Sequence, residues 1–163
     1  MNWKLLVAAS AAAALLSVAA VAFAAKTGPG GITIHLAEKD GAFDFVDNKP
    51  LGGQNQPPSI GDMFAFTSSL WTRGNKRAGS LYATCVVTSG GKHFVSQCTG
   101  TFALAGGHLA LQTAIRDGQN PSQIAIVGGT GAYEGARGSV VSKSRGDNSP
   151  YSDDTIHLLP KGA

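Results

Sequence analysis

The sequence has few charged side chains and few of the residue patterns from which catalytic centres are usually built. Asp, Glu, Lys and Arg make up 14% of the 163 residues, against about 25% in typical globular chains. The four histidines have no His-x-His or His-x-x-x-His spacing of a metal site, and no Gly-x-Ser-x-Gly serine-hydrolase motif occurs. The net charge of +3 is spread without a long basic run, which argues against a nucleic-acid surface. We therefore expect no metal or other cofactor and no nucleic-acid partner.

Long apolar runs are also missing, except at the N-terminus. Residues 5–23 are apolar or small apart from two serines, and they follow a single lysine at position 4. The run ends in Ala22-Phe23-Ala24, the small-x-small pattern of a signal-peptidase site. We expect residues 1–24 to be a signal peptide, cleaved near Ala24, and residues 25–163 to form one domain secreted to an extracellular or periplasmic compartment without a membrane partner. A retained membrane anchor is the alternative, because the run approaches the length that spans a bilayer.

Glycine and proline divide the rest of the chain into short segments with the composition of β-strands. The eight predicted strands are 31–37, 61–71, 78–88, 93–104, 108–115, 123–127, 136–144 and 155–159. Regular short strands with turn signals, and no long amphipathic helix, are typical of a sandwich or barrel. Eight antiparallel strands can close into a barrel that holds one small ligand, and closure removes the exposed sheet edges. We therefore predict an all-β, eight-stranded antiparallel barrel.

A long connection separates the first two predicted strands. Its core, residues 48–58, contains proline and glycine but no periodicity, and such a length without secondary structure is either mobile or functional. In a barrel it would be well placed to lie over one mouth. Phe43 and Phe45 stand just before it, where they either plug that mouth or pack a short extension of the first strand; the sequence leaves both interpretations open.

The two cysteines, Cys85 and Cys98, lie in consecutive predicted strands. The intervening Ser89-Gly90-Gly91-Lys92 predicts a hairpin turn. If the hairpin is centred between Gly91 and Lys92, opposed residues have numbers that sum to 183, which the cysteines satisfy. We therefore predict a cross-strand disulfide, which suits an exported chain. The alternative is a free Cys85 thiol that reacts or lines a ligand site.

A glycine-rich stretch, residues 128–138, follows the apolar run 124–127 and reads Gly-Gly-Thr-Gly-Ala-Tyr-Glu-Gly-Ala-Arg-Gly. A dinucleotide-binding loop would need a helix to begin at these glycines and an acidic residue about 20 positions later at a strand end. Neither occurs, because the next segment has paired valines and the pattern of a strand. The stretch is therefore interpreted as a strand, a glycine turn and a second strand.

The motif at 126–138 resembles the glycine motif of the dirigent and allene oxide cyclase-like barrel family, including its exported bacterial members. A second likeness lies at 60–67, Ile-Gly-Asp-Met-Phe-Ala-Phe-Thr, and together the resemblance covers about residues 31–159. It implies an eight-stranded barrel whose cavity holds the reacting molecule and which assembles as a homodimer or homotrimer. It does not specify a reaction.

Site residues follow from this resemblance position by position. His35 occupies the place of a first-strand glutamate in plant allene oxide cyclases, and Ser68 that of a cavity asparagine, so allene oxide cyclisation itself is not expected. His35 also matches the histidine of the dirigent His-Asp pair, where Leu36 replaces the aspartate. The predicted catalytic residues are His35, Arg137 and Glu134. The predicted ligand-binding residues are Asp62, Phe64, Phe66 and Ser68.

The resemblance implies a protein that binds a small apolar or phenolic intermediate and guides its cyclisation or stereoselective coupling. No cofactor is required, since holding one folded shape, excluding water and polarising one oxygen would suffice. Such a protein is either a cofactor-independent cyclase or isomerase, or a dirigent protein that receives its intermediate from an exported oxidase. The alternative is a non-catalytic secreted barrel that carries a small hydrophobic ligand or binds another protein.

Overall fold

A computed structural model describes residues 31–49 and 56–160. It contains eight strands, which are β1 Ile32–Val46, β2 Met63–Thr72, β3 Arg77–Ser89, β4 Val95–Leu104, β5 Gly107–Arg116, β6 Ser122–Gly129, β7 Gly138–Ser144 and β8 Tyr151–Leu158. Each strand pairs antiparallel with its sequence neighbours, and β8 pairs with β1 to close the sheet. The predicted all-β, eight-stranded antiparallel barrel is confirmed. The predicted signal peptide lies outside the described residues.

The first strand is longer than its sequence pattern predicts. The apolar alternation stops at Ala37, yet β1 continues to Val46, because its charged segment finds ladder partners on both β2 and β8. Between Asp40 and Phe43 the register shifts, because β1 has more residues there than the facing part of β2, and the additional residues form a bulge. Gly41 lies in this bulge, where a Cβ would stand 2.8 Å from the Thr67 carbonyl oxygen. Of the two interpretations of Phe43 and Phe45, the strand extension is therefore the one observed.

Apolar side chains seal one end of the barrel, the end at which β1 begins. Along each strand alternate residues face inward, and in this half nearly all of them are aliphatic or aromatic. The buried cluster comprises Leu36, Leu70, Leu81, Phe102, Leu109, Leu111, Ile126, Val140, Ile156 and Leu158. The interior is therefore less tightly filled toward the other end, where β1 ends and β2 begins.

The predicted disulfide between Cys85 and Cys98 is present. The two residues are directly paired across β3 and β4, and their sulfur atoms are bonded. The sum of 183 holds for every pair from Gly79–Leu104 to Val87–Ser96, and it fails only beyond a bulge near the turn. Both cysteines are buried inside the barrel. The bond thus ties two neighbouring strands of the wall together.

The glycine-rich stretch forms the β6–β7 connection, as the sequence predicts. Its only helical element is the 3-10 turn Gly131–Tyr133, three residues long, so no helix N-terminus is available for a pyrophosphate. Gly131 has a φ of 61°, and a Cβ there would stand 2.6 Å from the Gly106 carbonyl oxygen. Within residues 31–49 and 56–160 there is no helix long and apolar enough to cross a membrane.

Candidate functional site

Two carboxyl groups face the interior of the barrel. Glu38 lies on β1 and Asp154 on β8, and their exposed fractions are 8% and 1%. The register pairs Asp154 with Leu36 and Glu38 with Ser152. Glu38 and Asp154 are therefore diagonal neighbours on the same inner face, within reach of each other. A pair of buried acids in an otherwise apolar interior is the most unusual feature of this barrel.

Burial raises the pKa of Glu38 to about 7, and the charge of Asp154 acts in the same direction. Desolvation disfavours the ionised form of a carboxyl, and a second negative charge nearby disfavours it again. The Ser68 hydroxyl beside Glu38 opposes part of this rise. The protonated form of Glu38 is therefore substantially populated near neutral pH, which is unusual for a glutamate.

Burial also raises the pKa of Asp154, and the side chains of Ser142 and Glu38 oppose part of the rise. Neither carboxyl oxygen of Asp154 meets a hydrogen-bond donor at bonding geometry among the described residues. An unsatisfied buried polar group is costly. The Ser142 hydroxyl and the Glu38 carboxyl nonetheless lie beside the Asp154 carboxyl and act on its pKa, so the pair is best described as two acids that resist a double negative charge.

A small cavity adjoins the pair. Its volume is about 50 Å³, enough for a few water molecules but far below the few hundred Å³ of ordinary ligand sites. The wall is mostly apolar and includes Phe66, Leu81, Leu111, Ile115 and Ile124. The cavity extends along β5 from Leu111 to Ile115, toward the end of the barrel opposite the sealed core. Unless side chains of the cavity wall move, a bound molecule could place only one small end, the end that reacts, beside the two carboxyl groups.

Phenylalanines flank the open end of the barrel. The ladder pairs Phe43 with Phe66 and Phe45 with Phe64, and directly paired residues lie on the same face of a sheet. Phe43 and Phe45 are nonetheless 66% and 42% exposed, because the pairing of β1 with β8 ends at Lys39 and this part of β1 is paired with β2 alone. The rings of Phe43 and Phe64 stack with their centroids 6.1 Å apart. The mouth therefore offers aromatic surface to an apolar ligand.

The predicted ligand-binding residues lie on β2 or just before it, but not all face the cavity. Ser68 is buried beside Glu38, Phe66 lines the cavity and Phe64 lies at the mouth. Asp62 is buried too, yet its carboxylate accepts hydrogen bonds from the Asn48 backbone N–H at 2.9 Å and the Ser59 backbone N–H at 2.7 Å. These hydrogen bonds lower the pKa of Asp62, and the bond from Ser59 has the larger effect. The structure places Asp62 as an anchor of the β1–β2 connection.

The three predicted catalytic residues lie outside the cavity. His35 faces outward from β1, where its Nδ1 is 3.3 Å from the Thr155 hydroxyl, because odd-numbered residues of this part of β1 point away from the core. Arg137 donates to the backbone carbonyls of Val127 at 2.6 Å and Ala136 at 3.1 Å. Glu134 is exposed at the end of the 3-10 turn. Their catalytic role stays a prediction that this placement does not favour.

Glu38 and Asp154 are the residues that the position-by-position resemblance missed. The signal that could have found them is strand parity: Glu38 follows Ile34 and Leu36 at a spacing of two, and Asp154 precedes Ile156 and Leu158 in the same way. Each is thus an acid on the apolar face of a strand. Within the described ranges, no three His, Cys, Asp or Glu side chains converge in a way that could hold a metal ion.

Comparisons with known proteins agree with this architecture. The family model described as "Allene oxide cyclase barrel like domain" matches residues 31–154. Pyocyanin demethylase superimposes with a TM-score of 0.66 at 24% identity, over 78% of this chain and 100% of that one. The pterocarpan synthase dirigent protein PsPTS1 gives 0.64 at 21% identity, over 80% and 96%.

The Diels-Alderase AbmU from Streptomyces koyangensis gives a TM-score of 0.63 at 16% identity, over 79% of this chain and 63% of that one. No curated protein matches the sequence significantly. At these identities the structures show a shared fold. Barrels of this fold thus include a pterocarpan synthase dirigent protein and a Diels-Alderase.

Proposed function

We propose that this chain, which belongs to the allene oxide cyclase-like barrel family, binds a small apolar or phenolic intermediate at the open end of its barrel and guides its cyclisation or stereoselective coupling. The observation that carries the proposal is the buried pair of Glu38 and Asp154 beside a cavity. A few polar groups converging in an apolar pocket are the usual form of a ligand site.

The pair supplies both a proton donor and a proton acceptor. With its pKa near 7, Glu38 can donate a proton or a hydrogen bond to an oxygen that gains negative charge during the reaction. Asp154 resists a second ionisation and can hold the shared proton. General acids and bases work best when their pKa lies near the working pH. The chemistry proposed here is therefore proton transfer to or from one phenol, quinone or carbonyl oxygen.

The shape of the site limits what enters it. A cavity of about 50 Å³ admits a single oxygen-bearing end, while the rest of the molecule lies against Phe43, Phe45 and Phe64 at the mouth. Aromatic rings there favour flat apolar ligands through offset stacking. Product stereochemistry would follow from the one orientation in which the oxygen reaches Glu38 and the ring reaches the phenylalanines.

Export and self-association belong to the same proposal. Residues 1–24 have the pattern of a signal peptide, and a secreted barrel of this kind would receive its intermediate from an exported oxidase. On the outer face of β2–β4, a groove of about 540 Å³ is lined by Ala65, Tyr82 and several threonines, and Asp44 of β1 is the one charged residue in its lining from the described part of the chain. Tyr82 is 53% exposed there. We assign this face to the contact between copies in a homodimer or homotrimer.

The first test uses 4-nitrophenol, whose neutral and ionised forms absorb at different wavelengths. Bound beside the carboxyl pair, the probe is expected to shift saturably toward its neutral form, because a phenolate would be repelled there. Glu38→Gln with Asp154→Asn is expected to weaken the effect about tenfold, the cost of losing a charge-assisted hydrogen bond. Ser96→Ala is the matched control, since Ser96 is equally buried but does not line the cavity.

Two results would contradict this assignment. The first is the absence of a saturable shift with wild-type protein, and the second is a shift that survives intact in the double variant. Circular dichroism of each variant separates a lost site from a lost fold. An unchanged Ser96→Ala response would confirm that loss of a buried polar group elsewhere does not reproduce the effect.

The interior cavity of about 50 Å³ is too small to enclose a whole substrate, which favours a second candidate, a non-catalytic barrel that carries a small hydrophobic ligand at its mouth or binds another protein. The two candidates differ in product stereochemistry. One-electron oxidation of 2-naphthol gives a chiral dimer that is racemic in free solution. An enantiomeric excess in the presence of the wild-type barrel, lost in Glu38→Gln, supports guided coupling. Probe binding with a racemic product supports the carrier.

A further inference from the structure

A second concave surface lies on the outside of the barrel, separate from the interior site. It is a groove of about 740 Å³ along the outer face of β1, bordered by β8 and by the end of β2. Trp71, Lys39 and Tyr151 contribute to its wall, and the β2–β3 turn adds Arg73. None of these residues takes part in the site proposed above. The groove is larger than the interior cavity and lined by more polar groups.

Positive charge dominates this groove. Lys39, Arg73 and Arg145 face it, and the opposing carboxylate is that of Asp153. Asp154 contributes to the wall as well, but its carboxyl is turned into the barrel. Arg145 binds Asp153 at 2.7 Å, and this hydrogen bond lowers the pKa of Asp153. The charge of Arg73 acts on Asp153 too, but less than Arg145 does, and among the described residues neither Lys39 nor Arg73 forms a salt bridge.

Aromatic rings lie beside the cations. The ring of Tyr151 has the Lys39 ammonium 5.8 Å from its centroid and the Arg145 guanidinium 5.6 Å from it. The Trp71 indole N–H donates to the Ser69 hydroxyl at 3.0 Å, which fixes the plane of the indole. Cation–π contacts restrict the orientations that such cationic side chains adopt. The groove thus combines flat apolar surfaces with positioned positive charge.

We propose that this groove is a second binding site, which takes a small organic anion with an aromatic ring, of the class of aromatic carboxylates. The ring would lie against Trp71 and Tyr151, and the carboxylate would be bound by Lys39 and Arg73. Charge complementarity selects the anion, and the aromatic surfaces select a flat molecule over a simple ion. The proposal is independent of the interior site, because it uses the opposite face of β1.

The test is a fluorescence titration of the mature, oxidised chain with 2-naphthoate. The matched probes are 2-naphthamide, which has the same rings without the charge, and inorganic phosphate, which has charge without a ring. The expected order of affinity is naphthoate first, with the amide and phosphate each at least fivefold weaker. Binding of naphthoate is expected to weaken as salt is added, since exposed charges are screened.

Variants locate the site. Lys39→Gln with Arg73→Gln is expected to weaken naphthoate binding about tenfold, the combined effect of two partly exposed ion pairs. Lys92→Gln, which removes an exposed lysine from the β3–β4 turn, is the control and leaves the affinity unchanged. Glu38→Gln likewise leaves it unchanged, because the interior carboxyl takes no part.

Three outcomes would overturn the proposal. These are equal affinity for naphthoate and naphthamide, an unchanged affinity in the Lys39 and Arg73 double variant, and a loss of binding in Glu38→Gln. The last would place the ligand inside the barrel. A thermal melt of the double variant shows that it is folded before its affinity is compared. Tyr151→Ala provides a second readout, expected to lower the affinity for naphthoate but not for phosphate.

Discussion

Replacing Glu38 with glutamine is expected to stabilise the barrel at alkaline pH and to leave its stability almost unchanged at low pH. The pKa of Glu38 is raised from 4.5 to about 7 in the folded chain. Below about pH 4.5 the carboxyl is protonated in both the folded and the unfolded states, and burial carries no ionisation cost. As pH rises, the unfolded state ionises first, so the free energy of unfolding falls until the folded state also ionises near pH 7.

The size of the effect follows from the two pKa values. A difference of about 2.5 pKa units corresponds to roughly 3 kcal/mol at about 1.36 kcal/mol per unit. Glutamine has nearly the same shape as glutamate and cannot ionise. At pH 8 the variant therefore does not lose this part of its free energy of unfolding, whereas the wild type does. Part of the gain is offset if the new amide finds no hydrogen-bond partner. We expect a net stabilisation of about 2–3 kcal/mol at pH 8 and near zero at pH 4.5.

The assay is urea unfolding of the oxidised mature chain at about pH 4.5, 5.5, 6.5 and 8, followed by circular dichroism. The quantity of interest is the difference between variant and wild type at each pH, because ionisation of groups that do not interact with Glu38 cancels in it; Asp154 does interact with Glu38, so the difference reports the carboxyl pair. Glu134→Gln is the control, since Glu134 is exposed and its replacement leaves the difference flat. A Glu38→Gln difference that is the same at pH 4.5 and pH 8 would refute the protonated, buried glutamic acid on which the proposed function depends.

Three further predictions concern the wall of the barrel. Arg137→Ala removes hydrogen bonds to the carbonyls of Val127 and Ala136 and is expected to cost about 1–2 kcal/mol in urea unfolding, with 4-nitrophenol binding unchanged; a selective loss of binding would instead support a site role for Arg137. Replacing Cys85 and Cys98 together with alanine is expected to cost about 2–3 kcal/mol, because the loop they close is short, and wild-type stability in the double variant would contradict that. Tyr82→Glu is expected to convert an oligomer to monomers in light scattering, since the outer face of β2–β4 is nearly uncharged; an unchanged mass would remove that face as the contact.

The fold could be predicted because local signals agree with one another along most of the chain. Glycine turns separate β3 from β4 and β6 from β7, and the spacing of Cys85 and Cys98 about the turn between them is enough to predict the register of one hairpin correctly. The boundary of β1 could not be predicted, because the charged residues after Ala37 interrupt the apolar alternation. Those residues stay in the strand because β8 and β2 pair with them from both sides. Such pairing is a tertiary property that a local pattern does not contain.

The site is harder to predict because a resemblance between sequences matches positions and does not say which face of a strand each side chain occupies. A shift of one residue moves a side chain to the opposite face of a sheet. His35 matches a family position by sequence but points outward, whereas Glu38, three residues later, points inward. Phe66 and Ser68 have the inward parity of Leu70, and both lie near the cavity or the carboxyl pair. The charge of Arg137 suggests a catalytic role, but its guanidinium binds the backbone.

The energetic cost of the carboxyl pair is itself an argument about function. Leucine, isoleucine, valine or phenylalanine occupies most inner positions of the barrel, although Ser68 and Ser142 lie beside the pair. An apolar side chain of similar size at position 38 would avoid the roughly 3 kcal/mol that ionisation removes at alkaline pH. Nothing in the closure of the barrel requires an acid there, because the ladder bonds of β1 and β8 are made by the backbone. A buried acid with a pKa near 7, a second buried acid next to it and a cavity beside them are what proton transfer requires. The proposed proton transfer would account for this destabilised interior, whereas the closure of the barrel does not require it.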